Sequence, residues 1–186
     1  MRAGHMALAV MLLTVTVTVS AESPYSGQQT RTIKALSEQD VEGYLNGQGM
    51  GFAKAAELNH YPGPRHVLDL ADELNLDQQQ IAATETLFDA MKTRAVVLGE
   101  QLVDKEQQLD RQFAEGSINP DTLATLTGEI GKLQAELRYV HLETHLKQKA
   151  LLTDHQVRHY DRLRGYSDGQ SSGVHEQHGG NHQHSH

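Results

Sequence analysis

The chain has 186 residues, contains no cysteine or tryptophan, and carries a formal net charge of −8 at pH 7. This length suits one domain with appendages, and the lack of cysteine excludes disulfides, thiolate metal ligands and a cysteine nucleophile. The acidic balance disfavours nucleic acid as a partner and favours cations, metal ions among them.

The first 21 residues have the organisation of a secretory signal peptide. Arg2 precedes an apolar run from about Ala7 to Val19, and small residues suit cleavage after Ala21. An uncleaved membrane anchor is the alternative, but the run is shorter than the roughly 20 apolar residues that span a bilayer. We therefore expect export without stable membrane insertion. Loss of Arg2 would leave 15 basic and 24 acidic residues, a net charge of −9.

Beyond the signal, three segments differ in composition. Residues 22–36 are polar and lack an apolar period, which predicts a flexible leader, whereas residues 37–166 carry helical patterns throughout. Residues 167–186 again lack an apolar period and are rich in histidine, which predicts a disordered tail. The sequence therefore predicts one helical domain between two unstructured segments.

The helical domain is expected to begin with short elements. Ser37 is a good N-cap, and a helical pattern weakened by four glycines runs from it to about Leu58. Pro62 and Pro64 interrupt the pattern, and a short amphipathic helix is expected after them. These elements would flank the longer helices that follow.

Two long amphipathic helices are the strongest prediction. The first starts after Asp77 and ends near Gly116, and the second starts at Pro120. Their apolar residues, spaced by three and four, are Ile81, Phe88, Met91, Ala95, Leu98, Leu102, Leu109 and Phe113, then Leu123, Leu126, Ile130, Leu133, Leu137 and Val140. The predicted fold is all-α, an antiparallel long helical hairpin with short flanking helices, the last of them capped by Thr153.

A short motif occurs at two of the predicted helix starts. Leu152, Thr153 and Gln156 form the pattern LTxxQ in the stretch LTDHQ. The stretch LDQQQ repeats it with aspartate in place of threonine, in residues Leu76, Asp77 and Gln80. Threonine and aspartate at such positions accept a hydrogen bond from exposed backbone amides, so both copies are helix-start signals.

These two copies, bracketing a long helical hairpin in a small exported chain without cysteine, resemble the Spy/CpxP family and the related periplasmic heavy-metal-resistance sensors. The resemblance covers about 37–166. It implies an all-helical hairpin, often a homodimer, located in the periplasm. It also implies one of three activities: ATP-independent refolding of unfolded client proteins, restraint of a membrane-bound envelope-stress sensor, or metal binding by a sensor or resistance protein.

Two histidine pairs have the spacing of a helical metal site. His141 with His145, and His155 with His159, are four residues apart, which places each pair on one helix face with Cβ atoms about 5 to 6 Å apart. The alternative is that they are solvated polar side chains beside the seam, the row of apolar residues through which the two long helices are expected to pack. The pairs lie on consecutive helices, so a reversal of the chain between them would allow all four imidazoles to meet.

The tail contains five further histidines, interleaved with Gly, Gln and Asn: His175, His178, His182, His184 and His186. Their irregular spacing differs from the contiguous run of a purification tag and favours a native metal-binding tail. Imidazole ligands suit Zn(II), Ni(II) or Cu(II) better than Ca(II) or Cu(I). His60 and His66, beside the proline turn, are second-rank ligand candidates, since polar turn residues commonly have no such role.

No residue pattern indicates catalysis, and we expect no enzyme. In the stretch HLETH, for example, Glu143 lies two residues after His141 and therefore on another helix face, unlike the glutamate of zinc proteases. The sequence predicts a periplasmic divalent-metal-binding stress or resistance protein that buffers or senses metal. The alternative is an ATP-independent chaperone, or a restraint on an envelope-stress sensor, in which the histidines are incidental and no metal is needed.

Overall fold

The computed structural model describes residues 23–166, and these form helices and turns without a strand. The helices are α1 (Glu38–Leu45), α2 (Lys54–Glu57), α3 (Pro64–Asp69), α4 (Gln78–Ala114), α5 (Pro120–Leu151) and α6 (Asp154–Arg164). The predicted all-α class is therefore confirmed. Among residues 23–166, no helix has the length and apolar character needed to cross a membrane. The predicted signal peptide, 1–21, and the predicted tail, 167–186, lie outside the described residues.

The two long helices, α4 and α5, pack against each other and run in opposite directions. Arg94 pairs with Glu143 at 3.1 Å, and Lys105, later in α4, pairs with Glu129, earlier in α5, at 2.9 Å. The buried core between the helices consists of Ala95, Leu102, Ile130 and Leu137. The predicted three-and-four spacing therefore places the apolar residues on the faces that meet.

The seam is not buried along its whole length. Phe113 and Leu123, both predicted to belong to it, flank the turn between α4 and α5 and are 57% and 37% exposed. No residue from 103 to 125 is buried, so the apolar stripes of the two helices are only partly covered near the turn. Burial is therefore concentrated farther from the turn, where the preceding segments also pack.

The predicted first helix, from Ser37 to about Leu58, is interrupted. α1 ends at Leu45, and the chain then passes through Gly47 and Gly51, whose φ angles are 63° and 79°. These left-handed conformations cannot continue a right-handed helix, so the glycines form a loop and the pattern resumes only as the single turn of α2. The glycines that weakened the predicted helix mark the place where it ends.

Part of the predicted flexible leader, 22–36, packs onto the domain. Ile33 is only 5% exposed. The backbone amide and the ammonium group of Lys34 bind the two carboxylate oxygens of Asp110 at 3.1 and 3.0 Å. The folded domain therefore begins before Ser37. Among residues 23–36 only Ile33 is buried, and a single apolar residue does not produce the repeated spacing that predicts a helix.

The two copies of the repeated motif are joined by their glutamines. Asp77 and Thr153 each form a capping box, in which the cap side chain and the glutamine three residues later exchange hydrogen bonds with each other's backbone amides. The glutamine amides then pair across the fold. Nε2 of Gln80 donates to Oε1 of Gln156 at 2.9 Å, and Nε2 of Gln156 donates to Oε1 of Gln80 at 3.0 Å.

Each glutamine also bonds to backbone next to the other motif. Gln80 donates to the carbonyl of Leu151 at 2.8 Å, and Gln156 donates to the carbonyl of Leu74 at 3.3 Å. The motif leucines pack beside this pair on a buried cluster, with Leu76 and Leu152 contacting Val67, Leu74 and Tyr160. The start of α4, the end of α5 and the start of α6 are therefore held together at one point.

The paired glutamines are expected to be energetically coupled. Gln80→Ala and Gln156→Ala should each lower the free energy of unfolding by about 1 to 3 kcal/mol, because each leaves the other amide without its partner in a part-buried place. The double variant should lose about 1 kcal/mol less than the sum of the two. Urea denaturation measures all three, with Gln78→Ala, an exposed position at the same helix start, as control. Additive losses would contradict the coupling.

The close approach of α1 to α4 can be tested at a glycine. A Cβ at Gly99 would overlap the carbonyl oxygen of Tyr44, whereas a Cβ at Gly128, in α5, would meet nothing within 4 Å. We expect Gly99→Ala to lower the free energy of unfolding by about 1 to 3 kcal/mol. Gly128→Ala should raise it by about 0.5 to 1 kcal/mol through helix propensity. Both substitutions increase helix propensity by the same amount. Similar midpoints of urea unfolding would therefore show that a Cβ at position 99 does not overlap the Tyr44 carbonyl.

Candidate metal-binding cleft

A cleft of about 800 Å³ lies beside the two long helices, where the glycine loop, α2 and the start of α3 approach them. The glycine loop, residues 47–51, forms one wall. The side chains of its lining that carry donor atoms include Met50, Glu57, His66, Met91, His141 and His145. The cleft therefore contains one of the two predicted histidine pairs, together with other groups that can bind a metal.

His141 is almost wholly buried in this cleft. Its side chain is 4% exposed, and its ring stacks on Phe52 with centroids 5.9 Å apart and planes 14° from parallel. Burial, with a smaller contribution from the neighbouring His145, lowers the pKa of His141 to about 4. Its Nε2 has no hydrogen-bond partner among the described residues. At neutral pH the ring is therefore neutral, the form of imidazole that binds metal.

His145 is oriented by a hydrogen bond at one ring nitrogen, with a carboxylate farther from the same nitrogen. Nδ1 lies 2.7 Å from the carbonyl oxygen of Tyr61 and 3.7 Å from Oε2 of Glu57. A carbonyl can only accept, so Nδ1–H is the donor and the lone pair of the neutral ring is on Nε2. Metal-binding histidines are commonly held in this way, with a carbonyl or carboxylate on the nitrogen that does not bind the ion. The arrangement presents His145 as a ligand through Nε2.

Gly63 leaves room for the His145 ring. A Cβ at position 63 would lie 2.8 Å from Cε1 and 2.9 Å from Nε2 of His145, closer than real side chains approach. The backbone of Gly63 has φ −89°, an ordinary value for any residue. The requirement for glycine here is therefore steric, and it leaves space at the edge of the ring that carries Nε2.

Glu57 connects this histidine to the last helix. Its Oε1 accepts a hydrogen bond from the Tyr160 hydroxyl at 2.5 Å and lies 3.6 Å from Nε of Arg164, while its Oε2 faces His145. Burial and the bond to Glu57 raise the pKa of Tyr160, so the phenol keeps its proton and acts as the donor. The carboxylate of Glu57 thus links α2, α5 and α6 behind the cleft.

The second-rank histidines have different surroundings. His66 lines the cleft, and its Nδ1 lies 3.6 Å from a carboxylate oxygen of Asp69. Nδ1 of His60 lies 2.8 Å from Oδ2 of Asp161, which is buried, although His60 itself is more than half exposed. His66 can therefore contribute to the cleft, whereas His60 is engaged by an acid of α6.

The four helix histidines do not form one site. The rings of His155 and His159 lie with centroids 6.2 Å apart, near enough to share an ion, and His155 is exposed. α6 buries the face that carries Tyr160 and Asp161, so its histidine pair is directed elsewhere. Within residues 23–166, no group of three or more His, Cys, Asp or Glu side chains is arranged to hold a metal ion. The five tail histidines lie outside the described residues.

Several residues of the cleft were not candidates on sequence grounds. Glu57, Tyr61 and Gly63 act on His145 across more than 80 residues of chain, and no local pattern marks them. Met91 was predicted to be a seam residue. The sequence did contain one usable signal: Met50 and Met91 are the only methionines after residue 21. Both of them line this one cleft.

No family model, curated protein or solved structure matches this chain. What the cleft can bind therefore follows from its own donors. These include two imidazoles held in place by stacking and by hydrogen bonding, the carboxylate of Glu57, and the thioethers of Met50 and Met91. Such a set is suited to a transition-metal ion rather than to Ca(II) or Mg(II), which prefer oxygen ligands.

The burial of His141 should make stability depend on pH. In the unfolded chain the ring protonates near its ordinary pKa of 6.5, but in the folded protein only near 4. Between these values the unfolded state binds more protons, so the free energy of unfolding should fall as the pH decreases from about 6.5 to 4, by up to about 3 kcal/mol.

Urea denaturation between pH 7.5 and 4 measures this dependence. His141→Phe, which retains an aromatic ring against Phe52, is expected to remove this component, and His155→Gln, at an exposed position, is expected to leave it unchanged. If the parent and the His141→Phe protein lose stability equally on acidification, then His141 is not the group responsible.

Proposed function

We propose that this chain is a periplasmic metal-binding stress or resistance protein of the Spy/CpxP kind, which buffers or senses transition-metal ions. The observation that carries this proposal is the arrangement of His145. Its Nδ1–H is held by the carbonyl of Tyr61, with Glu57 close by, which leaves Nε2 available beside the neutral imidazole of His141. The chain then provides an oriented ligand pair rather than two solvated histidines.

The charge of the chain supports the same proposal. Acidic residues outnumber basic ones by 24 to 16, so the protein attracts cations from solution. The histidines of the α6 pair and of the tail would add further imidazoles of lower selectivity. In this proposal the cleft provides the selective site and the other histidines raise the local concentration of metal.

The family part of the proposal rests on the repeated motif. Its two copies begin α4 and α6, form matching capping boxes and exchange glutamine hydrogen bonds. This pairing gives the repeated glutamine a structural reason, which a chance similarity would not require. The opposed long helices and the short helices beside them are also what the Spy/CpxP resemblance implies, and export to the periplasm belongs to the same proposal.

The metal site can be tested by calorimetric titration of the exported protein with Zn(II), Ni(II) and Cu(II) at pH 7.5. A His141→Phe/His145→Phe double variant should lose the tightest site, with an affinity at least about tenfold lower. The matched control is His155→Gln/His159→Gln, which removes the other pair at the same spacing. Equal affinity in the parent and the cleft variant would reject the cleft as the site.

Gly63→Ala provides a second test that leaves every ligand in place. Its methyl group would displace the His145 ring, so we expect weaker metal binding with nearly unchanged helical content by circular dichroism. A variant that binds as tightly as the parent would show that the position of His145 does not matter.

A second candidate function is supported by an exposed apolar groove along α4 and α5. The groove is lined by Val97, Leu98, Ala135 and Tyr139, and Val97 and Tyr139 are 49% and 58% exposed. Exposed apolar surface of this kind suits an unfolded client, a second copy in a homodimer, or an envelope-stress sensor. A chaperone would suppress aggregation of a denatured client equally well with the cleft variant, and less well after Val97→Ser/Tyr139→Ser.

A further inference from the structure

The cleft contains both methionines that follow the predicted signal peptide. Met50 enters from the glycine loop and Met91 from α4, and both line the cleft together with His141 and His145. Two thioethers from separate parts of the chain thus share one cleft with two imidazoles. Nitrogen and sulfur donors, rather than oxygen alone, are therefore available to an ion.

The position of Met50 is fixed by its own backbone conformation and by the contact of its sulfur with Gly43 of α1. Its φ angle is 42°, a value that few residues other than glycine adopt, and it lies between Gly49 and Gly51. Its sulfur sits where the side chain of residue 43 would be, since a Cβ on Gly43 would lie 2.7 Å from Sδ. Backbone strain of this kind is often found at binding sites, where the surrounding structure enforces it.

The usual role of methionine is to fill gaps in a core, and Met91 partly does so, because it packs against the buried cluster of α4 and α5. Met50 also fills a gap, because its sulfur packs against Gly43 of α1, but 37% of the residue stays exposed. Packing therefore does not close this side chain off from solvent, and it remains accessible to an ion in the cleft.

The donors favour a soft ion. Thioethers select Cu(I) among the first-row metals, and Ag(I) shares its softness and charge, whereas imidazole also accepts Zn(II), Ni(II) and Cu(II). The carboxylate of Glu57 also lines the cleft, but Tyr160 already donates to its Oε1. Its Oε2, which has no hydrogen-bond partner among the described residues, lies 3.7 Å from Nδ1 of His145, on the side of the ring away from Nε2. A tetrahedral zinc site needs four ligands, and the two imidazoles supply only two of them. The thioethers are the remaining donors, and they favour a soft ion over zinc.

We propose that the cleft binds a soft monovalent ion, Cu(I) or Ag(I), through the thioethers of Met50 and Met91 and the imidazoles of His141 and His145. This inference rests on the proposed metal-binding function and names the class of ion. The two imidazoles of the cleft accept divalent ions by themselves, and the thioethers make a soft monovalent ion bind more tightly. The α6 pair and the tail have no thioether among the residues near them in sequence, so only divalent ions are expected there.

The two methionines allow a direct test in protein from which the predicted signal peptide, 1–21, has been removed. Labelling methionine methyl groups with ¹³C should give two signals, one from each wall of the cleft. One equivalent of Ag(I), which needs no reducing agent, is expected to shift both signals. Zn(II), which imidazoles bind without a thioether, should shift both signals much less. Calorimetric titration with Ag(I) should then show at least about tenfold weaker binding after Met50→Leu, a substitution that conserves side-chain volume.

The outcomes separate this inference from the function on which it rests. If Ag(I) moves neither methyl signal, or binds the Met50→Leu protein as tightly as the parent, the soft-ion assignment is wrong. If Zn(II) then requires His141 and His145, the metal-binding function stands with a divalent ion in the cleft. If no tested ion depends on these histidines, both proposals are rejected. Urea denaturation of Met50→Leu checks that the variant is folded.

Discussion

The reciprocal hydrogen bonds between the amides of Gln80 and Gln156 hold the start of α4 against the junction of α5 and α6, 76 residues away in sequence. Each glutamine also completes the cap of its own helix, so the same side chain fixes where a helix starts and which helix lies beside it. Because α6 starts at this junction, the junction also determines where Tyr160 lies. The cleft depends on that placement, since Tyr160 bonds to Glu57, and Glu57 faces His145.

A carboxylate that is largely removed from water needs groups that offset its charge, and those around Glu57 come from two helices. The phenol of Tyr160 donates to Oε1, and the guanidinium of Arg164 lies near that oxygen, whereas Oε2 lies 3.7 Å from Nδ1 of His145 without a hydrogen bond. The carboxylate therefore lies on the Nδ1 side of His145. In the proposed site, this placement leaves Nε2 of His145 and the thioethers of the two methionines for a soft ion.

The two predicted histidine pairs share one spacing but differ in surroundings. His141 is buried against Phe52, and its neighbour His145 is fixed by backbone and carboxylate, whereas His155 is exposed on α6. A spacing of four residues places two side chains on one helix face. It does not determine whether that face meets solvent, an aromatic ring or a carboxylate. For this reason the spacing predicted both pairs equally, although only His141 and His145 line the cleft described above.

The sequence by itself determined the helical class, the caps at Asp77 and Thr153 and the break at the prolines. These depend on interactions within a few residues, such as side-chain caps and apolar spacing along one helix. Only the tertiary structure decided that Ile33 anchors the leader and that Gly63 makes room for His145, and it also placed both methionines in the cleft. Such features depend on which surfaces pack together across tens of residues, and local sequence patterns carry no record of that packing.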